Sequence, residues 1–253
     1  MFRPRIIPVL LLKGDGLVKS VRFKDHRYIG DPINAVRIFN EREADELVFL
    51  DIDATRLGRT VSLDFVRKVG EEASMPFSVG GGIKTLDDIR WVIGAGAEKV
   101  VIGSQAAIDP EFVRRASDEF GSSTIVVCVD VKRSYFKGQR VWSKNATRPT
   151  YLTPVEFATL MTKNGAGELI IQSVTRDGTM SGYDLDLIRS VSAAVDVPVI
   201  ALGGAGTLAD LARGHREGHA NALAAGSLFV YKDMKRGVLI NYPVKGELLF
   251  DPD

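Results

Sequence analysis

Short apolar runs alternate along this chain with longer amphipathic stretches. Eight runs have the length of buried strands: Ile6–Leu12, Glu46–Asp51, Phe77–Val79, Val100–Ile102, Thr124–Val131, Glu168–Ser173, Val197–Leu202 and Ala222–Ala225. Seven stretches between them have helical periodicity: Pro32–Arg42, Leu63–Ala73, Leu86–Ala95, Glu111–Phe120, Thr153–Asn164, Leu185–Val195 and Leu208–Glu217. Strands that alternate with helices form parallel sheets. Eight such units in about 250 residues predict a closed (β/α)8 TIM barrel, with a doubly wound open sheet as the alternative.

The two halves of the chain resemble each other. PFSVGGGIKTLDDI at Pro76–Ile89 matches PVIALGGAGTLADL at Pro198–Leu211, and we align Gly80-Gly81 with Gly203-Gly204, 123 positions later. The remaining runs match in the same order: LLLK with VDVK, ADELVFLDID with AGELIIQSVTRDGT, and AEKVVIGSQA with ANALAAGSLF. Four matched pairs predict a barrel made of two duplicated halves. We expect one domain over 1–253, with repeat halves of about 1–122 and 123–253.

Two long polar segments interrupt this pattern. Gly14–Asp31 follows the first run, and Arg133–Thr150, which we predict to be irregular, follows the fifth. Loops after barrel strands lie on the catalytic face of such a fold. We therefore expect both segments to border a functional site.

Composition narrows the function classes. A net charge of +1 over 253 residues gives no electrostatic argument for binding nucleic acid or membranes. The single cysteine, Cys128, excludes an internal disulfide and lies in an apolar run, where we expect it to fill the core rather than act as a nucleophile. No cleavage-type site follows Ile6–Leu12, so we interpret this run as a first strand and not as a signal peptide. These features predict a cytoplasmic protein.

Glycines follow four of the predicted strands. Free backbone N–H groups at the next helix start, together with the positive end of the helix dipole, bind phosphate. The candidates are Gly81, Gly82, Gly103 and Ser104 in the first half, and Asp177, Gly178, Thr179, Gly203, Gly204, Gly226 and Ser227 in the second. A single glycine pair is explained equally well by a tight turn. Because the pairs repeat, we expect two facing phosphate sites and a bisphosphate substrate.

Acidic residues also fall at strand ends. Asp130 ends the fifth run in an apolar context, which is costly unless the carboxylate is functional or paired with Lys13 or Lys132. Asp51 ends the second run. Asp177 ends the sixth, where an Asx-turn is the alternative explanation.

The three histidines predict no metal site. His215 and His219 are spaced i, i+4 near a helix end, but no third ligand follows, and we expect no metal or other cofactor. His26 falls in the first polar segment. We expect it to be a solvated loop residue, with substrate contact as the alternative.

The chain resembles the cyclase subunit of imidazole glycerol phosphate synthase over nearly its whole length. The specific stretches are ELVFLDID, PFSVGGGI, GAGELI, TRDGTMSGYDLDLI and IALGGAG. The resemblance implies a duplicated (β/α)8 enzyme that takes ammonia from a glutaminase partner. Such an enzyme cleaves and cyclises a ribulose-bearing bisphosphate to imidazole glycerol phosphate and an aminoimidazole carboxamide ribotide.

One of the two catalytic aspartates of that family is missing here. The family places them at the ends of strands 1 and 5. The second matches Asp130, but the first falls at Leu11, and the internal repeat gives the same pairing because Lys13 aligns with Lys132. A positioned acid or base contributes about 10²–10⁴-fold in rate, and leucine transfers no proton. Asp15, in the following loop, is a poor geometric substitute.

Other family positions are changed or kept. The strand-4 asparagine–threonine pair reads Gly103-Ser104, which keeps a backbone suited to phosphate but loses the asparagine's contacts. Lys19 and Asp51 are further candidates for substrate contact.

The family's ammonia entrance is matched in full. Its ring of two basic and two acidic residues at the barrel base reads Arg5, Glu46, Lys99 and Glu168, and Glu98 matches the acidic residue that docks the glutaminase. Four paired charges stay satisfied and can open for a small polar molecule, while a purely structural ring is the alternative.

A branch of the family combines these features. It is implicated, with a glutaminase and an amidotransferase-like third protein, in adding acetamidino groups to sugars of surface polysaccharides. The opening LLLKGDGLVKSVRF and YIGDPINAVRIFNE resembles this branch. Three hypotheses follow: a synthase subunit of such an assembly, a histidine-pathway cyclase that tolerates Leu11, and a catalytically silent scaffold that docks a glutaminase and conducts ammonia.

Overall fold

The computed structural model describes residues 3–134, 138–232, 237–243 and 247. Within them the chain forms one sheet of twelve strands. These are β1 (Arg5–Lys13), β2 (Gly16–Val21), β3 (Lys24–Gly30), β4 (Leu47–Asp51), β5 (Phe77–Gly80), β6 (Lys99–Ile102), β7 (Ile125–Ser134), β8 (Gly138–Ser143), β9 (Arg148–Pro149), β10 (Glu168–Ser173), β11 (Val199–Leu202) and β12 (Ala222–Ala225).

Eight of these strands close into a parallel barrel in the order β1, β4, β5, β6, β7, β10, β11, β12. The closure is the pairing of β12 with β1, in which Ala222 lies beside Arg5. The predicted (β/α)8 barrel is confirmed, and the open-sheet alternative is wrong. All eight predicted strands are present, with bounds that shift by a few residues.

Helices surround the barrel. They are α1 (Pro32–Glu41), α2 (Ala54–Leu57), α3 (Leu63–Glu72), α4 (Leu86–Gly94), α5 (Ser104–Ile108), α6 (Pro110–Phe120), α7 (Pro154–Lys163), α8 (Leu185–Ser192), α9 (Leu208–Arg216) and α10 (Ser227–Val230). The seven predicted helices are all present. The three short ones, α2, α5 and α10, were not predicted, because one turn of helix has too few positions to show a period. Among the described residues, none of the helices has the length and apolarity that a membrane crossing requires.

The two hairpins correct one sequence prediction. Gly14–Asp31 and Arg133–Thr150 were expected to be loops, but they form β2, β3, β8 and β9 as antiparallel extensions of β1 and β7. In β3 five of seven residues are exposed, so the alternation of apolar and polar residues that marks a half-buried strand is missing. Equivalent strands carry the hairpins, which agrees with a duplicated architecture.

The spacing of the repeat needs a second correction. Helices α4 and α9 begin with the same capping box, at Thr85 and Thr207, and these positions lie 122 apart. The same offset aligns Gly81-Gly82 with Gly203-Gly204, and all four have φ between 68 and 136°. Gly80 is the last residue of β5 and is not one of the positive-φ glycines. The alignment of Gly80-Gly81 with the second pair is therefore wrong by one residue.

Apolar side chains fill both faces of the barrel strands. One cluster lies inside the barrel and includes Ile7, Val48, Val126, Ile170 and Ile200. The larger cluster lies between the strands and the helices. Burial on both faces explains why the strands read as continuous apolar runs. It also means that polar side chains at strand ends stand out from an apolar interior.

Candidate functional site

A cavity of about 550 Å³ opens at the carboxyl ends of the barrel strands. The barrel strands and the loops that follow them supply most of its lining, and the hairpin of β2 and β3 adds Lys19, Ser20, Phe23 and His26. This is the face on which barrel enzymes place their active sites.

Two register pairs face each other across this cavity. Leu11 of β1 lies beside Leu50 of β4, and Asp130 of β7 lies beside Gln172 of β10. Three barrel strands separate β1 from β7 in either direction, so the pairs lie on opposite sides. Both pairs line the cavity and occupy equivalent positions of the repeat. The structure thus places leucine where the second half has its strand-end aspartate.

Asp130 is the titratable group of this wall. Burial, followed by the negative charge of Asp177, raises the pKa of Asp130 to about 7. Neither Lys13 nor Lys132 forms an ion pair with Asp130 in the described part of the chain, and Lys132 lies 4.6 Å from the centre of the Trp142 ring instead. The alternative explanation of Asp130, a structural salt bridge to either lysine, therefore does not hold among the described residues. A carboxyl group with this pKa can both give and take a proton near neutral pH.

Cys128 lies next to this carboxyl group. Its Sγ is 3.9 Å from Asp130 Oδ1, and burial raises the pKa of the thiol well above its ordinary value. The sulfur packs against the inner apolar cluster, as predicted, but it also lines the cavity. At neutral pH it remains a thiol and is a poor nucleophile.

Lys19 and Asp177 form a buried polar group beside Asp130. Lys19 Nζ donates a hydrogen bond to the Val9 carbonyl at 2.5 Å, and burial lowers the pKa of Lys19 to about 8 while Asp177 opposes that shift. Asp177 accepts from Ser20 Oγ and Gln172 Nε2, each at 3.2 Å. Burial raises the pKa of Asp177, and Lys19 lowers it in turn. The polar wall thus contains two carboxyl groups and an amine that all titrate closer to neutrality than usual.

Most of the predicted phosphate-binding residues line the cavity. They are Gly81, Gly82, Gly103, Ser104, Asp177, Gly178, Gly203, Gly204, Gly226 and Ser227. Thr179 is not among the lining residues. Its hydroxyl donates to the Arg176 carbonyl at 2.7 Å and lies 2.7 Å from Ser181 Oγ, so it closes a turn.

Packing alone requires glycine at two of these positions. At Gly82, where φ is 68°, an added Cβ would lie 1.9 Å from the carbonyl oxygen of Arg59. At Gly178, where φ is 67°, it would lie 2.0 Å from the carbonyl oxygen of Ser20. The close approach of neighbouring groups explains these glycines before any ligand is considered.

Asp51 is held by the protein itself. Its Oδ1 accepts from the backbone N–H groups of Asp53 and Ala54 at 3.1 and 3.0 Å, and its Oδ2 accepts from Arg59 Nη1 at 2.6 Å. These contacts fix the start of α2 and place Arg59 at the cavity wall. Asp51 lines the cavity as predicted, but its oxygens already have partners.

Several lining residues were not predicted from the sequence. Arg56, Arg59 and Lys84 line the cavity on the side of the first half, where Arg56 pairs with Asp53 and Arg59 with Asp51. His26 lies on β3 rather than in a loop, and it lines the cavity. Arg59 could have been found from the repeat, since two arginines, Arg56 and Arg59, follow β4 before the next long helix, whereas Arg176 alone follows the equivalent β10. His26 carries no such signal.

The β8–β9 hairpin contacts the first half of the barrel. The backbone N–H of Lys144 donates to Ser104 Oγ at 2.9 Å, and Asn145 Nδ2 donates to the Ile52 carbonyl at 2.7 Å. Lys144, Asn145 and Ala146 have φ between 52 and 55°, a conformation that costs about 1 kcal/mol per residue or more. The turn is thus strained and rests on a predicted phosphate-binding residue.

The β2–β3 hairpin makes the corresponding contact with the second half. The backbone N–H of Arg22 donates to the Asp177 carbonyl at 2.9 Å, and Arg22 Nε donates to the Thr175 carbonyl at 3.1 Å. Arg22, Phe23 and Asp25 also have positive φ. Each half of the chain therefore covers the strand ends of the other half.

A ring of charges lies at the opposite end of the barrel. Arg5 bonds Glu46 and, through Nη2 at 2.8 Å, Glu168. Lys99 Nζ lies 3.5 Å from Glu46 Oε1 and 3.2 Å from Glu168 Oε1. Ser78 Oγ donates to Glu46 at 2.9 Å, whereas Glu168 Oε2 is buried and accepts no hydrogen bond from the part of the chain that the structure describes. Each base contacts both acids, so the four predicted residues form a closed ring at the amino ends of the strands.

Glu98 lies beside this ring on the surface. Its Oε2 accepts a hydrogen bond from the backbone N–H of Phe77 at 2.7 Å, at the start of β5. Asp45 does the same for Ile6 in β1 at 2.8 Å. The carboxylate of Glu98 thus also satisfies a strand end.

The histidine pair forms no metal site. His215 Nδ1 lies 2.9 Å from the Ala220 carbonyl. Across the described ranges, no three His, Cys, Asp or Glu side chains come close enough together to hold a metal ion.

Comparisons with known proteins match the whole barrel. The model of a family described as histidine biosynthesis protein matches residues 5–235. A Pseudomonas aeruginosa protein provisionally named imidazole glycerol phosphate synthase subunit hisF2 is 46% identical over 243 residues, which are 96% of this chain and 97% of that protein. A Vibrio vulnificus protein provisionally named subunit hisF3 is 42% identical over 98% of this chain and 95% of its own. Imidazole glycerol phosphate synthase subunit HisF of Alkaliphilus metalliredigens is 42% identical over 92% of this chain and 93% of its own.

Proposed function

This chain belongs to the family of histidine-biosynthesis barrel proteins that contains the cyclase subunit of imidazole glycerol phosphate synthase, and we propose that it is the synthase subunit of a glutamine amidotransferase assembly. In this proposal a glutaminase forms a heterodimer with the barrel at its amino end. Ammonia passes the ring of Arg5, Glu46, Lys99 and Glu168 and reaches a phosphorylated ligand in the cavity. We place the assembly in acetamidino sugar formation for surface polysaccharides, with a third, amidotransferase-like protein.

The observation that carries this proposal is the contrast between the two ends of the barrel. The charge ring is complete, since each base contacts both acids. The cavity, however, has Asp130 on one side and Leu11 on the other. Ammonia delivery needs only the ring and an interior path, whereas cyclisation by two acids needs a second proton-transfer group at position 11.

The chemistry of ammonia transfer fits a single acid. Converting an acetamido group into an acetamidino group forms one carbon–nitrogen bond to ammonia and breaks one carbon–oxygen bond. Ammonia loses two protons as its nitrogen becomes the imine nitrogen of the amidine, and these protons leave with the carbonyl oxygen as water overall. We assign the activation of that oxygen to the third protein. Asp130, with its pKa of about 7, can accept one of those protons at neutral pH.

The test is the cyclase assay with free ammonia and the ribulose-bearing bisphosphate. We expect wild-type protein to form imidazole glycerol phosphate at least about 10²-fold more slowly than Leu11→Asp, since the variant restores the missing acid. Leu57→Asp is the matched control, because Leu57 is 54% exposed and is not among the residues that line the cavity. Rapid turnover by wild-type protein would instead support the histidine-pathway alternative.

The silent scaffold is the second candidate, and the apolar side chain at position 11 favours it. Under that hypothesis Asp130→Asn leaves glutaminase stimulation and sugar amidination unchanged. Loss of amidination with intact stimulation would support the synthase subunit instead.

Docking can be tested separately at Glu98. Glu98→Gln keeps the acceptor for the Phe77 N–H and removes the charge, so the barrel should remain stable. If Glu98 docks the glutaminase, the variant should weaken the heterodimer in a binding titration.

A further inference from the structure

At one level of the barrel the cavity wall is apolar on one side and polar on the opposite side. Leu11 and Leu50 are neighbours in the register of β1 and β4, and both are partly exposed to the cavity. Behind them lie Val9 and Val101, each 3% exposed. Their equivalents across the barrel are Asp130 and Gln172, so one half of the repeat supplies hydrogen-bonding groups where the other supplies aliphatic carbon.

Lys13, two positions further along β1, is exposed and also lines the cavity, whereas Lys19 does not serve this apolar surface. Lys19 Nζ donates to the Val9 carbonyl and lies against Gly226, on the β12 side of β1. The Leu11–Leu50 pair lies on the β4 side. A ligand hydroxyl placed there would leave water and find no donor or acceptor on these side chains, which disfavours binding.

An apolar ligand group has the opposite preference. Each methylene removed from water against such a surface strengthens binding by about fourfold. We propose that Leu11 and Leu50 are specificity-determining residues that hold an apolar, uncharged substituent of a phosphorylated ligand against this surface and disfavour a hydroxyl group there. This inference rests on the phosphate sites of the proposed function and adds the class of substituent that lies between them.

The experiment compares two esters that share a phosphate and three carbons. They are n-propyl phosphate and glycerol 3-phosphate, which differ by two hydroxyl groups. Their dissociation constants are measured by NMR titration with wild-type protein, Leu11→Asn and Leu11→Met. Leu57→Asn carries the same change at an exposed position outside the cavity and is the matched control.

We expect wild-type protein to bind n-propyl phosphate about tenfold more tightly. Leu11→Asn should reduce that preference to within about twofold, because the amide offers hydrogen bonds to the hydroxyl groups. Leu11→Met and Leu57→Asn should keep the preference. The methionine variant tests the apolar character even if the asparagine variant does not fold.

The possible results distinguish a failure of this inference from a failure of the proposed function. If wild-type protein binds both esters equally, or if Leu11→Asn keeps the full preference, then Leu11 and Leu50 do not determine specificity. The proposed phosphate sites are unaffected by that result. Binding of neither ester by wild-type protein contradicts the phosphate sites and overturns this inference together with them.

Discussion

Replacing Asp130 with asparagine should stabilise the protein at alkaline pH and have little effect at acid pH. Burial and the charge of Asp177 raise the pKa of Asp130 from 3.8 to about 7 in the folded state. The unfolded chain has an ordinary carboxyl pKa of about 3.9. Between these values the folded protein binds one more proton than the unfolded chain, so its free energy of unfolding decreases as pH rises.

The size of the effect follows from the two pKa values. A shift of about three units corresponds to about 4 kcal/mol. Asp130 is partly exposed to the cavity, and solvent there screens the charge, so we expect about 2–4 kcal/mol. The penalty is absent below about pH 4 and complete above about pH 7. Asparagine stays neutral, so the variant escapes this penalty.

Urea unfolding followed by circular dichroism at pH 4.5, 7 and 8.5 measures this difference. Asp186→Asn is the control, because it makes the same change in a side chain that is 94% exposed and lies outside the cavity. The reasoning is refuted if Asp130→Asn changes the free energy of unfolding by the same amount at all three pH values.

Three further predictions concern the fold around the site, each measured by urea unfolding. Arg5→Met should lower the free energy of unfolding by about 2–3 kcal/mol, because Glu46, which is 3% exposed, loses a charged partner. Arg114→Met is the control, because it breaks an exposed ion pair and should have little effect. Equal effects of the two substitutions would contradict a buried ring. Gly82→Ala should lower the free energy of unfolding by at least about 3 kcal/mol, because the new Cβ would overlap the Arg59 carbonyl. Gly58 has the same φ of 68° but no atom within 4 Å of such a Cβ, so Gly58→Ala should lower it by about 1 kcal/mol. Equal losses would refute the steric argument. Thr207→Ala removes the N-cap of α9 and should lower the free energy of unfolding by about 1 kcal/mol. An unchanged free energy of unfolding would mean that packing stabilises the helix start instead.

The barrel could be predicted because its strands are buried on both faces. Runs such as Glu168–Ser173 carry aliphatic residues at neighbouring positions, and their spacing gave the strand count directly. The hairpins could not be predicted in this way. Among the described strands Lys24–Gly30 pairs with β2 alone, and it exposes most of its side chains, so its sequence has no hydrophobic pattern.

Most residues of the site could be predicted from the sequence, but their hydrogen-bond partners could not. The repeat identified Leu11 as the partner of Asp130, and the structure places them on opposite sides of one cavity. It also shows that Asp51 is bonded to Arg59 and that Thr179 closes a turn. These hydrogen bonds depend on which residues the fold brings together, and the residue type alone does not predict them.

The hairpins that cross the cavity mouth have a consequence for the order of folding. Their contacts join residues far apart in sequence, 93 positions for Asn145 with Ile52 and 153 for Arg22 with Thr175. Closing such long loops costs entropy that few exposed hydrogen bonds offset, so these contacts form only after the barrel has brought the halves together. The same contacts open at lower free energy than the buried strands. Mild denaturant should therefore abolish ligand binding while the secondary structure persists. The site is then inactivated by local opening of the hairpins before the barrel itself unfolds.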